Sequence, residues 1–318
     1  MTVVGFHCSH EQISPRQLLA DVQLAEQAGW DAAMCSDHWA PWGSRQGQSG
    51  FAWSWLGAAL ASTDLRLGCV NAPGYRYHPA IIAQASATLA QMFPGRFWVA
   101  LGSGEYSNEF ITGEAWPPKA ERQERLLECA DIIRRLHRGE TVTHKGHVTV
   151  NEARLWTLPE KLPELIQPAV SVETARQGAA WADGVATINQ PLDTLKGLVA
   201  AYREAGGAGT LTLQVHVSWA PTEDEAWEIA RDQWSTNVFP PPVCWDLTTS
   251  QLDVVSQNVS DEQIAQSVIV SSDHQAIAAQ VKEMVDLGFD EVYLHHVGQS
   301  QAQFIETFAE HVVPQLRG

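Results

Sequence analysis

The sequence predicts an α/β protein with a single parallel (β/α)8 TIM barrel, because eight short apolar segments rich in β-branched residues alternate with helical segments. Eight parallel strands are the number that closes such a barrel. The chain has 318 residues, more than the roughly 250 typical of this fold, which leaves room for insertions. The predicted strands are Val3 to Cys8, Ala32 to Ser36, Leu65 to Asn71, Phe97 to Gly102, Leu165 to Val170, Gly184 to Ile188, Leu211 to Ser218 and Glu291 to His295.

Two segments interrupt the alternation. Residues 139–163, after the fourth strand, contain the run THKGHVTVNEA, which predicts a small hairpin outside the barrel. Residues 222–266, after the seventh strand, contain a helical stretch, three consecutive prolines and a polar stretch, which predict an insertion that forms a rim or lid. We therefore expect one domain over residues 1–318 with these two excursions.

Composition limits the partners and the compartment. The formal net charge of −17 disfavours nucleic acid and anionic membranes, because both would repel the protein. The first residues form no signal peptide, and the sequence has no apolar run long enough to span a bilayer. The five cysteines include no C-x-x-C pair, which fits reduced thiols. We therefore expect a cytoplasmic protein that acts on a small molecule.

Polar side chains follow the predicted strands at their carboxyl ends, which is where (β/α) barrels carry their chemistry. Because these ends meet at one mouth, we expect imidazoles, carboxylates and hydroxyls to converge there. The candidates in chain order are His10, Glu11, Asp37, His38, Trp39, Trp42, Asn71, Ser103, Gly104, Glu105, Val170, Ser171, Asn189 and His295.

The pair Asp37-His38 and the turn Gly102-Ser103-Gly104-Glu105 are the most informative of these. A histidine at a strand end can act as a general base near neutral pH, but it can equally be a structural histidine beside a loop-capping aspartate. The glycines of the turn would let backbone N–H groups approach a ring or phosphate. The same turn is also ordinary before a helix, where a glutamate favours the helix dipole.

The dinucleotide fingerprint and the phosphate-binding loop are both absent from the sequence, so binding of a nicotinamide cofactor or ATP by these motifs is not indicated. Two other classes of function compete with a redox enzyme. A metal-dependent barrel hydrolase would use His7, His10, His38 and His295 as ligands. His7 and His10 are three residues apart, so on one strand they would face opposite sides, which disfavours a shared metal. The third class is a flavin-binding protein with little catalysis of its own.

The segments SDHWAPW, YRYHPAIIAQASATLAQMFPGRFWVALGSGE and GFDEVYLHHVG resemble the bacterial luciferase-like flavin monooxygenase superfamily. Within it, the chain resembles the branch of the F420-dependent glucose-6-phosphate dehydrogenases over nearly its whole length. The resemblance implies a luciferase-like TIM barrel, a homodimer, and hydride transfer between a flavin-type ring and a small organic substrate, with or without oxygen.

The resemblance also assigns roles to residues. It implies that His38 removes the substrate hydroxyl proton, that Trp42 stabilises the substrate or an intermediate, and that Glu105 donates a proton toward the ring. Around the ring it places Asp37, Ser103, Gly104 and a strand bulge formed by Cys69, Val70 and Asn71. The cofactor phosphate would lie at Val170, Ser171 and Val172. The remaining candidates, His10, Glu11, Trp39, Asn189 and His295, are assigned to the substrate pocket.

Two departures from the family pattern change the expected ligands. The cations that bind the sugar phosphate in relatives align here with Gln190-Pro191, with the region of Val254 and with Ser267, so a non-phosphorylated substrate is expected. The Gly-Gly turn that accommodates the deazaflavin phosphate tail is replaced by Val170-Ser171. The segment VNAPGYRYHP resembles a sub-branch of the family that uses ordinary flavin. Together with the side chains at this turn, this resemblance favours FMN over coenzyme F420 as the cofactor.

Overall fold

The computed structural model describes residues 1–317, and eight of its strands form a closed parallel barrel in the order β1-β2-β3-β4-β7-β8-β9-β11, with β11 pairing back to β1. The predicted TIM-barrel fold is therefore confirmed. The strands are β1 (Val3–Cys8), β2 (Ala32–Ser36), β3 (Arg66–Asn71), β4 (Phe97–Leu101), β5 (Val142–Lys145), β6 (Thr149–Ala153), β7 (Glu164–Pro168), β8 (Gly184–Ile188), β9 (Thr210–Ser218), β10 (Ile269–Val270) and β11 (Glu291–His296).

Helices separate the barrel strands and cover the outside of the sheet. Proline occupies the start of α1 and of α3, where its missing N–H leaves no hydrogen bond unmade. The helices are α1 (Pro15–Ala28), α2 (Ala52–Ser62), α3 (Pro79–Met92), α4 (Tyr106–Glu109), α5 (Lys119–His137), α6 (Val172–Gly178), α7 (Leu192–Glu204), α8 (Glu223–Trp234), α9 (Val243–Asp246), α10 (Thr249–Val255), α11 (Asp261–Ala265), α12 (His274–Val285), α13 (Ala302–His311) and α14 (Val313–Leu316).

Aromatic side chains fill the inside of the barrel. Trp98 and Tyr293 are fully buried with ring centroids 6.1 Å apart, and each lies over a glycine of a neighbouring strand. A Cβ atom at Gly68 would lie 1.9 Å from the Trp98 ring, and one at Gly5 would lie 2.2 Å from the Tyr293 ring. Glycine is therefore required at both positions, because a side chain there would collide with the ring. The two rings fill the barrel interior below the carboxyl ends of the strands.

Both predicted interruptions contain secondary structure of their own. Residues 142–153 form the antiparallel pair β5–β6. The insertion after β9 carries α8 to α11 and ends in the short strand β10, which the sequence did not predict and which pairs with β9. The insertion packs over the loop after β2, where the Ser44 N–H donates to Asp253 over 3.0 Å and Arg45 pairs with Asp232. No helix within residues 1–317 is long and apolar enough to cross a membrane.

The third strand differs from its expected form. A bulge was expected at residues 69–71, but β3 pairs with β2 and β4 in continuous register from Arg66 to Asn71. Alternation along a regular strand sends neighbouring side chains to opposite faces. Val70 accordingly lines the barrel mouth, whereas Cys69 is buried in the layer between sheet and helices.

Candidate active site

A cavity of about 880 Å³ opens at the carboxyl ends of the barrel strands. Strand ends and the loops that follow them form its walls, and Phe239, Pro240 and Trp245 of the insertion also line it. This is the end of a (β/α) barrel at which active sites are found. The insertion therefore contributes to the candidate site directly.

The imidazole of His38 lies between two carboxylates. Its Nδ1 is 2.6 Å from Glu11 Oε1, and its Nε2 is 3.9 Å from Glu105 Oε2. Burial disfavours the charged imidazole, but the charge and hydrogen bond of Glu11, together with the charge of Glu105, outweigh burial and raise the pKa of His38 to about 9. His38 therefore carries a proton at neutral pH, with Glu11 as its counter-ion.

The pKa values of Glu105 and Glu11 are shifted in opposite directions, because contact with His38 lowers that of Glu11 to about 2 in spite of burial. Burial raises the pKa of Glu105, and the nearby His38 offsets only part of that effect. Gly104 precedes it with a φ of +81°, in the left-handed region that glycine adopts without strain. The Glu105 carboxyl thus faces the cavity at the end of a sharp turn, in an environment that raises its pKa.

Asn108 connects Glu105 to the loop that carries His38. Its Nδ2 donates to Glu105 Oε2 over 3.2 Å, and its Oδ1 accepts the N–H of Trp39 over 2.8 Å. Trp42, in the same loop, makes an edge-to-face contact with His38, with ring centroids 5.8 Å apart. One amide side chain therefore fixes the spacing between the two candidate proton carriers.

A second charged network lies beside the first. The buried Arg76 guanidinium is 3.4 Å from Asp37 Oδ2 and 3.3 Å from Glu109 Oε1. Burial raises the pKa of Glu109 to about 7, although Arg76 opposes the change. Asn71 Nδ2 donates to Asp37 Oδ2 over 2.8 Å. Within residues 1–317, Asp37 Oδ1 and Asn71 Oδ1 are buried acceptors with no donor, so they are available to a bound ring that carries an N–H.

Three histidines on β1, β9 and β11 form a different environment in the same cavity. His7 stacks on His295 with centroids 4.3 Å apart, and His216 lies 5.3 Å from His295. Burial lowers the pKa of His7 to about 4 and that of His216 to about 3, and it lowers the pKa of His295 as well. We call these three residues the histidine floor; they are neutral at neutral pH.

Most of the predicted site residues line the cavity. From the first and second βα loops it receives Glu11, Asp37, His38 and Trp42, and from the third and fourth it receives Val70, Asn71, Ser103, Gly104 and Glu105. The far side contributes Val170, Asn189 and His295.

Five predicted residues do not line it. His10 is buried against Trp55, with ring centroids 5.0 Å apart, because its neighbour Glu11 takes the direction toward the mouth. The Trp39 side chain is 55% exposed, so only its backbone takes part. Val172 is exposed, Cys69 points into the helix layer, and Ser171 lines an adjoining groove.

Some residues of the site were not predicted. Asn108 and Glu109 lie three and four positions after Glu105, spacings that share one helix face, so the sequence carried a signal for them. Gln214 and His216 share one face of β9 by the same kind of argument. Arg76 precedes α3 in a loop, where no periodicity indicates the direction of a side chain.

The arrangement does not support a metal hydrolase. Within the described residues, no group of three or more His, Cys, Asp or Glu side chains could hold a metal ion. His7 and His295 stack face to face, and His10 points away from the cavity. The four histidines of that alternative therefore do not meet.

Comparison with known proteins identifies the family. The sequence-family model of the luciferase-like monooxygenases matches residues 1–291. The chain belongs to this family. It is 34% identical to the F420-dependent glucose-6-phosphate dehydrogenase of Microbacterium testaceum, over 98% of this chain and 97% of that protein. It is 32% identical to the enzyme of the same name from Intrasporangium calvum, over the full length of both chains.

Solved structures agree with this assignment. An F420-dependent secondary alcohol dehydrogenase, in complex with an F420-acetone adduct, superposes with a TM-score of 0.91 at 29% identity, covering 100% of this chain and 99% of that one. A type II Baeyer-Villiger monooxygenase in complex with FMN, from Pseudomonas putida, has a TM-score of 0.74 at 17% identity, with 99% of each chain covered, and shows the shared fold alone. The resemblance inferred from the sequence is confirmed, and the protein is an enzyme of the luciferase-like oxidoreductase class.

Proposed function

We propose that the protein transfers hydride between the deazaflavin coenzyme F420 and a small uncharged alcohol or the corresponding carbonyl compound. The observation that carries this proposal is the position of His38 between Glu11 and Glu105 in a cavity large enough for a tricyclic ring and a small substrate. The similarity to F420-dependent dehydrogenases over the full chain supports the choice of cofactor.

The residues of the cavity fit a flavin-type ring. The unpaired acceptors Asp37 Oδ1 and Asn71 Oδ1 suit the ring N–H, Val70 offers an apolar contact, and Ser103 offers a hydroxyl in the turn before Glu105. When bound, such a ring accepts or delivers the hydride. The protein supplies orientation and proton transfer.

Proton transfer to and from the substrate falls to His38. Glu11 occupies Nδ1, which leaves Nε2 as the atom that faces the cavity. In alcohol oxidation, neutral His38 accepts the hydroxyl proton at Nε2. In carbonyl reduction, protonated His38 donates it to the forming hydroxyl. The raised pKa of Glu105 suits a carboxyl that would supply the proton taken up by the reduced ring, at an atom other than the one that receives the hydride.

The cavity suits a substrate without a phosphate group. Within residues 1–317, Arg76 and Lys119 are the lysine and arginine side chains that line it. Arg76 is already paired with two carboxylates, and Lys119 lies at the mouth. Gln190, Pro191 and Ser267 line the wall on which the family pattern places cations, while Val254 is 63% exposed and lies outside the cavity.

FMN is the second candidate cofactor. Ser171 caps α6 with its own side chain, which accepts the Thr174 N–H over 3.3 Å and contacts the Thr174 hydroxyl at 2.9 Å. This cap occupies the Thr174 N–H, one of the donors that a Gly-Gly turn would leave for a phosphate. The similar proteins named above do not support the sequence-based preference for FMN, so F420 stands first.

The experiment is a titration of the purified protein with F420 and with FMN, followed by turnover of simple secondary alcohols and of glucose 6-phosphate with the cofactor that binds. We expect tighter binding of F420, oxidation of the uncharged alcohols and no appreciable oxidation of the sugar phosphate. Tighter binding of FMN would replace the cofactor, efficient use of glucose 6-phosphate would refute the substrate class, and failure to bind either cofactor would refute the function.

We also propose, from family membership alone, that the enzyme is a homodimer. Sedimentation at micromolar concentration tests it, and a monomer at all concentrations would refute it.

A further inference from the structure

A groove of about 560 Å³ leads away from the active-site cavity. Lys119, Val170, Pro241 and Trp245 line both the cavity and the groove, so the groove is continuous with the site. We call it the tail groove. Its remaining lining residues are Trp116, Pro117, Pro118, Arg122, Ser171, Pro242 and Asp246.

Two helix N-termini meet at the tail groove, and they differ in their capping. The start of α6 is capped by Ser171. The start of the 19-residue helix α5 has Pro118 at its N-cap and no side-chain cap. Its first N–H groups, and the partial positive charge of the helix end, are thus left for another acceptor.

Two cations lie on the first turn of α5, on one face. Within residues 1–317, the Lys119 ammonium pairs with no carboxylate, and it lies 4.9 Å from the centroid of the Trp245 ring. Arg122, three positions later, is only 3% exposed, stacks over Trp116 at 4.4 Å, and has a buried Nε with no acceptor in the described chain. A buried donor without an acceptor is costly.

Negative charge in the groove is partly neutralised. Asp246 accepts the Trp116 Nε1–H over 2.8 Å and lies 3.5 Å from Arg122 Nη1. Glu121, in the first turn of α5, is exposed. Lys119 therefore remains the cation with no carboxylate partner at the point where the groove leaves the cavity.

We infer that the tail groove binds the phosphate-bearing side chain of the flavin-type cofactor, with Lys119, Arg122 and the uncapped start of α5 as its anion-binding groups. This inference rests on the proposed function. The ligand chemistry is a phosphate monoester in FMN or a phosphodiester in F420, and both suit a helix N-terminus flanked by cations. It accounts for phosphate binding although the Ser171 side chain occupies one of the N–H donors at the start of α6.

The test measures binding rather than activity. The full-length protein is titrated by fluorescence with FMN and riboflavin, and with F420 and its tail-free deazaflavin precursor, at two salt concentrations. The variants are Lys119→Gln, Lys119→Arg and Arg122→Lys, and the matched control is Lys145→Gln, which removes the same charge from the exposed hairpin.

We expect Lys119→Gln to raise the Kd of the tailed cofactor about tenfold or more, the loss typical of one hydrogen bond to a charged group. The tail-free forms should bind as to the wild type, the salt dependence should weaken, and Lys119→Arg should restore most of the affinity. Arg122→Lys, which keeps the charge but loses the Nε donor, should weaken the tailed forms less than Lys119→Gln, and Lys145→Gln should change nothing.

Three results would overturn the inference. They are an unchanged Kd for the tailed cofactor in Lys119→Gln, an equal loss for tailed and tail-free forms, and a wild type that binds both forms equally. The first two would leave Lys119 as a solvated lysine or as a support for Trp245. In all three cases the proposed function stands, because the ring still binds. A wild type that binds none of the four compounds would instead refute the proposed function, and this inference with it.

Discussion

The cavity has two sides that use the same amino acid in opposite protonation states. The histidine floor is buried and the His38 side chain is only 15% exposed, yet the pKa of His38 is raised and the pKa values of His7, His216 and His295 are lowered. The difference is a carboxylate in direct contact, because the more distant charge of Glu11 also raises the pKa of His7 but is outweighed there by burial. Glu11 lies 2.6 Å from His38 Nδ1, whereas His295 Nε2 lies 2.9 Å from the neutral side chain of Gln12. The neighbour, more than burial, therefore decides which histidine can exchange protons near neutral pH.

Removal of the charged histidine should have the largest effect. We expect His38→Ala to lower kcat by about 10²–10⁴-fold, because it removes a general acid or base, while melting temperature and cofactor affinity change little. Single-turnover rates, melting temperature and bound cofactor are measured on one sample. His147→Ala, on the hairpin, is the control for loss of a histidine elsewhere. A near-normal rate with a lower melting temperature would assign His38 a structural role.

Replacement of Glu105 should have the next largest effect. Glu105→Gln keeps the size of the side chain and an acceptor for Asn108, but it cannot deliver an acidic proton. We expect kcat to fall about 10²-fold, at the lower end of the range for a general acid, with little change in KM for the substrate. If KM rose while kcat stayed constant, Glu105 would be a binding residue.

Sequence reasoning and structure agree most closely on the barrel. Strand periodicity placed the starts of β1, β2, β4, β8 and β11 at the observed residues, because buried parallel strands produce short uninterrupted apolar segments. Beyond a strand end the chain leaves that period, so the sequence located the mouth but not the contacts within it. The contact of Glu11 with His38, and the turning away of His10, depend on the path of a loop.

The contacts around Arg76 could likewise not be predicted from the sequence. Its partners are Asp37, in the loop after β2, and Glu109, at the end of α4, which lie 39 and 33 residues away in sequence. A buried guanidinium needs such partners, but nothing in the local sequence indicates which carboxylates the fold will bring to it. Candidate residues could be found from strand ends, whereas their pairing required the three-dimensional structure.

Removal of the counter-ion should shift the pH dependence of catalysis. Alcohol oxidation requires neutral His38, so its rate should rise with pH through the pKa of His38, near 9. Because the Glu11 carboxylate raises that pKa, Glu11→Gln should move the rise to lower pH by about one to three units. Carbonyl reduction requires the protonated form, so its decline should move in the same direction.

At the pH optimum, Glu11→Gln should cost about tenfold or less, since His38 remains in place. The measurement is kcat/KM against pH in both directions, with Glu109→Gln as a control that removes a different buried carboxyl. A profile that keeps its midpoint after loss of Glu11 would show that another group titrates.

A carboxylate introduced beside the histidine floor tests whether a contacting carboxylate raises the pKa of a histidine there, as Glu11 does for His38. This variant has the smallest expected effect on rate. Gln214 Nε2 lies 3.1 Å from His216 Nε2 and 3.4 Å from His295 Nδ1, so Gln214→Glu brings a charge of the same shape to neutral imidazoles. The pKa of at least one floor histidine should rise, as measured by NMR titration of the imidazole resonances.

A group whose pKa is raised in the folded state stabilises the fold at low pH and loses that contribution as pH rises. The variant should therefore be less destabilised at pH 6 than at pH 9, with kcat within about threefold of the wild type, because no proton is exchanged there. If the floor histidines stayed neutral down to the pH of unfolding, burial and not the neighbouring carboxylate would govern protonation, and the explanation given for His38 would fail with it.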